Sequence, residues 1–352
     1  MSALQKLLSL IASPNPVLGE RAQAHLDRLT KPPGSLGRLE ELARRVVEIT
    51  GKEPPRVRRP VIFTLAGDHG VVAEGVSAYP QVVTAQMLEN FLRGGAAVNV
   101  LARHAGARVV VADFGVAAPL ASHPALVVKK VAPGTQNFCR GPAMTRGQAV
   151  QAIEGGIALA EGEAAAGSDL IGLGEMGIGN TTAASAITAA LTGAPVESVT
   201  GRGTGINEAA WERKVAIIRQ ALAVNRPDPA DAMDVLAKVG GFEIAGLVGV
   251  VLAGAAGRIP VVVDGFIAGA AALVAVKLKE EVRHFLLASH CSAEPGHRVI
   301  LEHLGLRPYL DLEMRLGEGT GAALAFVLIQ AAVKIYTEMA TFKSAGVSGK
   351  QP

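Results

Sequence analysis

Short apolar runs alternate along the chain with longer segments of helical character. The first, "VIFTLAG" at residues 61–67, is nearly continuous, as in the buried strands of parallel sheets. "ARVVVADFGV", "DLIGLG", "IPVVVDG" and "HFLLASH" are further strands of this kind, and each follows a segment that reads as a helix. This strand–helix alternation predicts an α/β fold with an open parallel sheet flanked by helices on both faces.

The two ends of the chain lack predicted strands. Residues 3–50 read as three helices separated by "SPNP" and "KPPGSLG", and the chain closes with the long amphipathic helix "GTGAALAFVLIQAAVKIYTEMATF". We therefore expect segments 1–55 and 322–352 to form a small helical domain beside an α/β catalytic domain of residues 56–321. The final "SAGVSGKQP" reads as a disordered tail.

Composition narrows the classes of function. The 352 residues are 49% hydrophobic, 18% charged and 4% aromatic, with 41 glycines that suit close packing of helices on a sheet. The net charge of +3 is small and the basic residues are scattered, which argues against binding to nucleic acid or a membrane surface. Cys139 and Cys291 form no CxxC pair, and no apolar run reaches the length of a membrane span, so we expect a cytoplasmic protein.

Each predicted strand ends in a loop of glycines and polar residues: "AGDHGV", "ADFGV", "GLGEMGIGNTT", "DGF" and "ASHCSAEPGH". In open parallel sheets the ligand binds beyond the carboxyl ends of the strands. The five loops are therefore expected to converge on one site, which is the strongest physical argument for an enzyme.

The loop "GLGEMGIGNTT" contains Gly172, Gly174 and Gly177 in the G-x-G-x-x-G spacing of dinucleotide-binding folds. That spacing alone is weak evidence for a dinucleotide site. Glu197 is near the position of the expected acidic residue, but its segment is short and bounded by glycines, and Glu175 lies inside the turn where it would face a pyrophosphate. A dinucleotide site is disfavoured, whereas a structural turn and a single-phosphate site both remain open.

A single phosphate suits this region better. Gly177 and Gly179 allow backbone N–H groups to approach an anion, and Asn180 or Thr181 is expected to cap the following helix. A second glycine-rich turn, "TGRGTG", precedes Lys214, whose ammonium group could bind the same phosphate. From local sequence alone, a solvated helix face is the more common position for such a lysine.

Glu318 lies between two glycines in "RLGEGTGAALA", at the start of the last helix. A carboxylate in a first helical turn is often only a favourable charge there. It could also be a general base, in which case an apolar pocket from residues such as Met314 and Leu316 would have to offset the helix dipole. Both interpretations stay open.

No metal site is expected. His69 in "GDHG" has no second ligand at a recognised spacing, and His290 and His297 are seven residues apart on a loop that contains proline. Cys291 beside His290 does not form a recognised catalytic pair.

Together these motifs resemble one family closely, the nicotinate-nucleotide–dimethylbenzimidazole phosphoribosyltransferases. Matching segments run in order through most of the chain: "KPPGSLGRLE", "AGDHGVVAEGVSAYPQVVTAQMLENFLRGGAAVNVLAR", "GEMGIGNTTAASAI", "GRGTG", "GGFEIAGL", "VVVDGFI", "SAEPGH" and "LGEGTGAAL". Long motifs in a fixed order are far more specific than one glycine pattern.

The resemblance implies a Rossmann-like parallel-sheet domain, a small domain of N- and C-terminal helices, a homodimer, and a reaction without cofactor or metal. In that reaction a nitrogen of 5,6-dimethylbenzimidazole attacks C1′ of nicotinate mononucleotide. Nicotinate leaves, the ribosyl configuration inverts from β to α, and α-ribazole 5′-phosphate forms for the lower ligand of cobalamin.

The resemblance also assigns roles to residues. Glu318 matches the base that takes the proton of the acceptor ring, and Glu175 matches a second carboxylate near the sugar. The contacts to the phosphate and ribose fall on Lys214, Gly177, Asn180, Thr181 and Gly203. The benzimidazole pocket falls on Tyr79, Gln86, Met176 and Leu316.

Three alternatives remain from sequence. A phosphoribosyltransferase of the same architecture could use adenine, a phenol or another benzimidazole, because one or two methyl groups change binding by only about 1–3 kcal/mol. A NAD-dependent oxidoreductase would rest on the glycine spacing alone. A non-catalytic nucleotide-binding protein is disfavoured by the presence of both Glu318 and Lys214.

Overall fold

A computed structural model describes residues 3–348. The predicted final tail extends to residue 352, and its residues 349–352 lie outside the described part. Six strands form one sheet: β1 Pro60–Gly67, β2 Arg108–Gly115, β3 Leu126–Val128, β4 Leu170–Met176, β5 Val261–Val263 and β6 Leu286–Ala288.

Helices surround the sheet and cover both ends of the chain. They are α1 Ala3–Leu10, α2 Pro16–Leu26, α3 Arg38–Thr50, α4 Val83–Arg93, α5 Ala97–His104, α6 Arg146–Ala165, α7 Asn180–Thr192, α8 Val196–Val199, α9 Glu208–Asn225, α10 Ala232–Val239, α11 Phe242–Ala256, α12 Phe266–Leu278, α13 Pro295–Leu304, α14 Thr320–Glu338 and α15 Phe342–Ala345. Two short 3₁₀ segments, Gly70–Glu74 and Glu280–Phe285, complete the regular structure.

The sheet has the strand order β3-β2-β1-β4-β5-β6, and every pairing in it is parallel. This confirms the predicted open parallel sheet. The chain direction of the crossovers reverses between β1 and β4, where Leu65 pairs with Glu175 and Ala66 with Met176. In such sheets the crevice at this switch point, beyond the carboxyl ends of the strands, is where ligands bind.

The strands follow the apolar runs of the sequence because they are covered on both faces. All eight residues of β1 are buried, as are the first six of β4. The short edge strand β3 was not predicted, because its apolar run is only three residues long; Leu126 and Val127 are partly buried and Val128 is exposed.

One predicted helix is in fact two. The segment around 81–104 contains α4 and α5, which are separated at Gly94. Gly94 adopts a left-handed φ of +77°, and its N–H bonds to the carbonyl of Phe91 at 3.1 Å. A glycine C-cap of this kind ends a helix even where the apolar pattern continues.

The terminal helices meet as predicted. α3 packs against both α2 and α14. However, α1 contacts α6 and α11, and α14 also packs against β1, β4 and β5. The helical layer is therefore joined to the sheet through an extensive shared core. The predicted tail begins inside α15, at Ser344 and Ala345.

Among the described residues, α14 is the one helix long and apolar enough to span a membrane by length and composition. Just over half of its most apolar window, 56%, is buried inside the protein. Its apolar face contains Phe326, Ile329 and Val333 and belongs to the common core. α14 is thus a core helix.

Glycines allow α6 and α11 to touch backbone to backbone. A Cβ on Gly156 of α6 would overlap the carbonyl of Gly246 in α11, and a Cβ on Gly249 would overlap the carbonyl of Ile153. A Cβ on Gly162, on the same helix as Gly156, would meet no neighbouring atom within 4 Å. The high glycine content therefore has a packing function at this crossing.

Adding one methyl group tests this crossing. Gly156→Ala should lower stability by about 1–3 kcal/mol or more, because it forces two helices apart in a close-packed core. Gly162→Ala, the matched control on α6, should be neutral or raise stability by up to about 1 kcal/mol, since alanine favours helix. Thermal and urea unfolding compare the two. Equal melting temperatures for both variants would contradict this account of the packing.

Candidate active site

A cavity of about 530 Å³ lies at the switch point between β1 and β4. This volume is in the usual range for a small-molecule site. Its lining consists of Tyr79, Val83, Met87, Glu175, Met176, Gly177, Ile178, Asn180, Thr181, Gly203, Thr204, Gly265, Phe266, Ile267, His290, Ser292, Glu294, Arg315, Leu316, Gly317 and Glu318.

The convergence of strand-end loops is partial. The loops after β4, β5 and β6 supply much of the lining, and the long connection after β1 supplies Tyr79. The "ADFGV" loop after β2 does not reach the cavity. It instead supports the loop after β1, because Asp68 donates its N–H to Gly115 and accepts the N–H of Ala117 on its carboxylate.

The glycine-rich turn after β4 is built by backbone contacts. A Cβ on Gly177 would overlap the carbonyl of Gly67 at the end of β1, so the two strand ends touch there. Gly179, with a φ of +94°, is the N-cap of α7 and no side chain caps that helix. The predicted cap by Asn180 or Thr181 is wrong, because Asn180 donates to Glu175 and the Thr181 hydroxyl accepts from Lys214.

The acidic residue required by a dinucleotide site is in the wrong place. Glu197 lies in the short helix α8, outside the cavity lining, and forms an ion pair with Arg219. The three glycines instead allow close packing, because a Cβ on Gly172 would meet the Phe326 ring of α14, one on Gly174 the Glu318 carbonyl and one on Gly177 the Gly67 carbonyl.

Lys214 is buried, contrary to the solvated position that local sequence favours. Its side chain in α9 is 1% exposed, and Nζ donates to Thr181 Oγ1 at 2.9 Å and to the Gly201 carbonyl at 3.3 Å. Burial lowers the pKa of Lys214 to about 8, and the negative charge of Glu294 opposes that shift. The ammonium group therefore lies beside the glycine turn at 201–205 and gains from any further anion.

Glu318 occupies a strained backbone position. Its φ is +64°, between Gly317 at +83° and Gly319 at +99°, which is a rare run of left-handed residues. The Thr64 hydroxyl donates to the Glu318 carbonyl at 2.9 Å. A Cβ on Gly174 would overlap this same carbonyl, so the end of β4 fixes the turn.

The Glu318 side chain is 5% exposed, and its Oε2 has no hydrogen-bond partner among residues 3–348. Burial raises the pKa of Glu318, while a hydrogen bond from the Val98 backbone opposes the rise. The net effect is upward, as a general base requires.

Asp264, which the sequence analysis missed, holds the Glu318 turn. One of its oxygens accepts the N–H groups of Gly321 at 2.7 Å and Ala322 at 3.1 Å, and the other accepts that of Gly319 at 3.1 Å. It thereby satisfies three amides at the start of α14. Its position directly after the apolar run "IPVVV" was the available signal.

Several buried carboxyl groups face one another here. Burial raises the pKa of Glu175 to about 8, and the charges of Asp264, Glu243 and Glu318 add to the shift. Burial likewise raises the pKa of Asp264 to about 7, against the effect of its three amide bonds. A positively charged ligand on the cavity floor would therefore stabilise the ionised form of these carboxyl groups.

The mouth of the cavity is apolar. Tyr79 and Leu316 are 53% and 57% exposed and line it together with Met176. Gln86 is exposed on α4 and lies outside the lining. Residues Val83 and Met87, one helical turn apart on α4, line the cavity near that position.

Two buried histidines lie near the cavity. His69 Nε2 and Glu243 Oε1 lie 2.6 Å apart beneath the glycine turn, and both side chains are fully buried. His290 lines the cavity and shares a 2.9 Å hydrogen bond with Ser289. Residues 3–348 contain no group of three His, Cys, Asp or Glu side chains placed to hold a metal ion.

Other lining residues were also missed. Glu294 accepts the Gly203 N–H at 2.9 Å, and Arg315 donates to the Gly203 carbonyl at 3.0 Å. Ser292 accepts the N–H of Glu294 at 3.3 Å. The motif "SAEPGH" marked this loop, but no local pattern identified its polar side chains as part of the glycine-turn site.

Comparison with known proteins gives a consistent result. A family model described as "Phosphoribosyltransferase" matches residues 11–347. Nicotinate-nucleotide–dimethylbenzimidazole phosphoribosyltransferases from Geobacter sulfurreducens and Roseiflexus sp. are 58% and 57% identical, over 99% of this chain and 99% of each relative. The crystal structure of CobT from Thermus thermophilus superposes with a TM-score of 0.92 at 50% identity, and covers 95% of this chain and 100% of that one.

The buried carboxyl of Glu175 makes a testable contribution to stability. Because its folded pKa, about 8, is above the ordinary value of 4.5, the stability it contributes is fully present below pH 4.5 and is lost as the pH rises through about 8. Glu175→Gln should therefore gain in melting temperature over the wild type as pH rises from 5 to 8.

Glu302→Gln, on an exposed position of α13, is the matched control and should show no such pH-dependent gain. Differential scanning calorimetry at several pH values measures both. A constant difference in melting temperature between Glu175→Gln and wild type across this range would show that Glu175 titrates normally.

Proposed function

The chain belongs to the nicotinate-nucleotide–dimethylbenzimidazole phosphoribosyltransferase family, and on that basis we propose how its cavity carries out the reaction. The activity is transfer of the phosphoribosyl group of nicotinate mononucleotide to 5,6-dimethylbenzimidazole, in assembly of the nucleotide loop of cobalamin. The products are nicotinate and α-ribazole 5′-phosphate. The assignments of residues that follow are our proposals.

The single observation that carries these assignments is the position of Glu318. Glu318 lines the cavity on a left-handed turn that Asp264 fixes, and its side chain is nearly buried. Oε2 is buried and has no partner among the described residues, so an N–H donor that reached it would satisfy an otherwise unpaired acceptor. We assign Glu318 as the general base.

The reaction needs only one base. As one ring nitrogen of the benzimidazole bonds to C1′, the N–H on its other nitrogen becomes acidic, and Glu318 accepts that proton. The bond between C1′ and the pyridinium nitrogen breaks at the same time, and its electron pair neutralises the positive ring. Nicotinate therefore leaves without needing an acid, and the two rings must lie on opposite faces of the ribose.

Glu175 is proposed to lie beside the ribose. Asn180 donates a hydrogen bond to it, and the residue lines the cavity at the end of β4. Positive charge on the pyridinium or on an oxocarbenium-like ribose would favour its ionised form, which burial alone disfavours. Its carboxylate would then stabilise the charge that develops as nicotinate leaves.

The 5′-phosphate is assigned to the region between the two glycine-rich turns. Gly177, Asn180 and Thr181 line one side and Gly203 the other, with Lys214 behind Thr181. The start of α7 has no side-chain cap, and the positive end of its helix dipole favours an anion, although the Asn180 and Thr182 N–H groups already donate to the carbonyls of Gly177 and Gly179.

The acceptor ring is assigned to the apolar mouth formed by Tyr79, Met176 and Leu316. The family motif also assigns Gln86 to this pocket. Its exposed position outside the lining supports instead Val83 and Met87 as the α4 residues that face the ring. No metal or organic cofactor is part of this proposal.

The larger organisation is also proposed. We infer a helical domain of residues 1–55 and 322–352 on an α/β domain of 56–321, supported by the packing of α3 on α14. We infer a cytoplasmic location, in keeping with the two free cysteines. We further infer a homodimer, supported by the exposed apolar side chains of Tyr79, Val82, Leu312 and Leu316.

Replacing Glu318 distinguishes an effect on the chemical step from an effect on substrate binding. Glu318→Gln should lower kcat by about 10²–10⁴-fold, since proton removal by a positioned base contributes that much. The Kd for nicotinate mononucleotide should change little, because the substitution keeps the shape of the side chain. Steady-state kinetics and calorimetry measure the two quantities, and Glu302→Gln is the control. A kcat within tenfold of wild type would remove Glu318 from this role.

The dimer is tested by placing charge on the exposed apolar residues. Sedimentation equilibrium should give about twice the chain mass of 36.1 kDa for the wild type. Val82→Glu should shift that equilibrium toward the monomer, because a charge would be buried in the contact. The exposed Val347→Glu is the control. A wild-type protein that sediments as a monomer at micromolar concentration would refute the dimer.

A further inference from the structure

Glu294 places a carboxylate inside the region assigned to the 5′-phosphate. It precedes α13, but its side chain does not cap that helix. Its Oε1 instead accepts the N–H of Gly203 at 2.9 Å. The residue is 5% exposed and lines the cavity, so the carboxylate is nearly enclosed by protein.

The second oxygen of Glu294 is not hydrogen bonded. Oε2 is buried and has no partner within residues 3–348. It packs against the backbone of Gly201, where a Cβ would overlap it. A buried carboxylate oxygen without a donor is costly, so this position needs a compensating positive charge.

Lys214 supplies that charge. Its Nζ is held by Thr181 and by the carbonyl of Gly201, on the same turn that Oε2 touches. The negative charge of Glu294 raises the pKa of Lys214 against the lowering by burial. The Glu294 carboxylate is thus stabilised both by the Gly203 N–H and by the positive charge of Lys214.

We propose that Glu294 is a specificity-determining residue, a built-in competitor that an incoming phosphate must displace from the Gly203 amide and the field of Lys214. The proposal rests on the assignment of the phosphate to this region. The dianion supplies more charge and more acceptor oxygens than the carboxylate, and the Gly203 N–H transfers from one to the other.

This competition sets a threshold for binding. A small anion such as inorganic phosphate must displace Glu294 using the cradle contacts alone. A mononucleotide also gains contacts from its ribose and base, so it overcomes the same cost more easily. Glu294 therefore limits occupation of the site by free phosphate.

The glycine turn can accept this exchange because other contacts hold it in place. Arg315 donates to the Gly203 carbonyl at 3.0 Å, and the Thr204 hydroxyl accepts the N–H of Ala78 at 3.1 Å. Neither contact involves the Gly203 amide. Loss of the Glu294 bond therefore leaves the turn attached on both sides.

Calorimetric titration with inorganic phosphate tests the proposal on the full-length protein at pH 7. Glu294→Gln keeps the shape of the side chain and removes its charge, so the Kd for phosphate should fall about tenfold. Glu294→Ala should change the Kd in the same direction. Glu208→Gln is the control, because Glu208 is an exposed carboxylate that pairs with Arg202 of the same turn. Its Kd should equal that of the wild type.

Lys214→Met separates this proposal from the assignment of the phosphate site. Loss of phosphate binding in Lys214→Met, with tighter binding in Glu294→Gln, supports both. Loss in Lys214→Met with an unchanged or higher Kd in Glu294→Gln and Glu294→Ala overturns the competition and leaves the site in place. Unchanged binding in Lys214→Met overturns both. Thermal melts of each variant confirm that it is folded.

Discussion

The site depends on one turn, Gly317–Gly319, and on the carboxylate that holds it. Asp264 accepts three amides at the start of α14, and the end of β4 lies directly against the Glu318 carbonyl. These contacts stabilise a left-handed conformation that a glutamate rarely adopts. The surrounding sheet compensates the strain and fixes the backbone that carries Glu318, the proposed base, before any substrate arrives.

Burial of the charged side chains determines the electrostatics of the site. Glu175, Asp264 and Glu318 are all buried; burial raises the pKa of Glu175 and of Asp264, the charges of Asp264 and Glu318 raise the pKa of Glu175 further, and that of Glu318 raises the pKa of Asp264. A substrate with a positive pyridinium ring opposes this effect, because its charge stabilises the ionised carboxylates. At the proposed phosphate end the arrangement is inverted, since the buried Lys214 is partly compensated by the negative charge of Glu294. In the proposed binding mode, this charge complementarity orients nicotinate mononucleotide along the cavity.

The sequence predicted the sheet well because buried parallel strands are continuous apolar runs, and β1, β2 and β4 have long ones. It missed β3, which is three residues long, and the break at Gly94, where a glycine cap interrupts an unchanged apolar pattern. Within the site, nine of the residues assigned from the motifs are among the 21 that line the cavity. Motif matching could not reveal the burial of Lys214 or the roles of Asp264 and Glu294, because those follow from contacts between segments 33 to 91 residues apart.

We propose that one cavity binds nicotinate and 5,6-dimethylbenzimidazole on opposite faces of the ribose, so that one ring replaces the other at C1′ with inversion. The most direct measurement is the ¹H NMR spectrum of the products of the purified protein with nicotinate mononucleotide and 5,6-dimethylbenzimidazole. We predict equal amounts of nicotinate and of a nucleotide whose H1′ coupling shows the α configuration. A β-linked product, or nicotinate released together with free ribose 5-phosphate, would contradict the account.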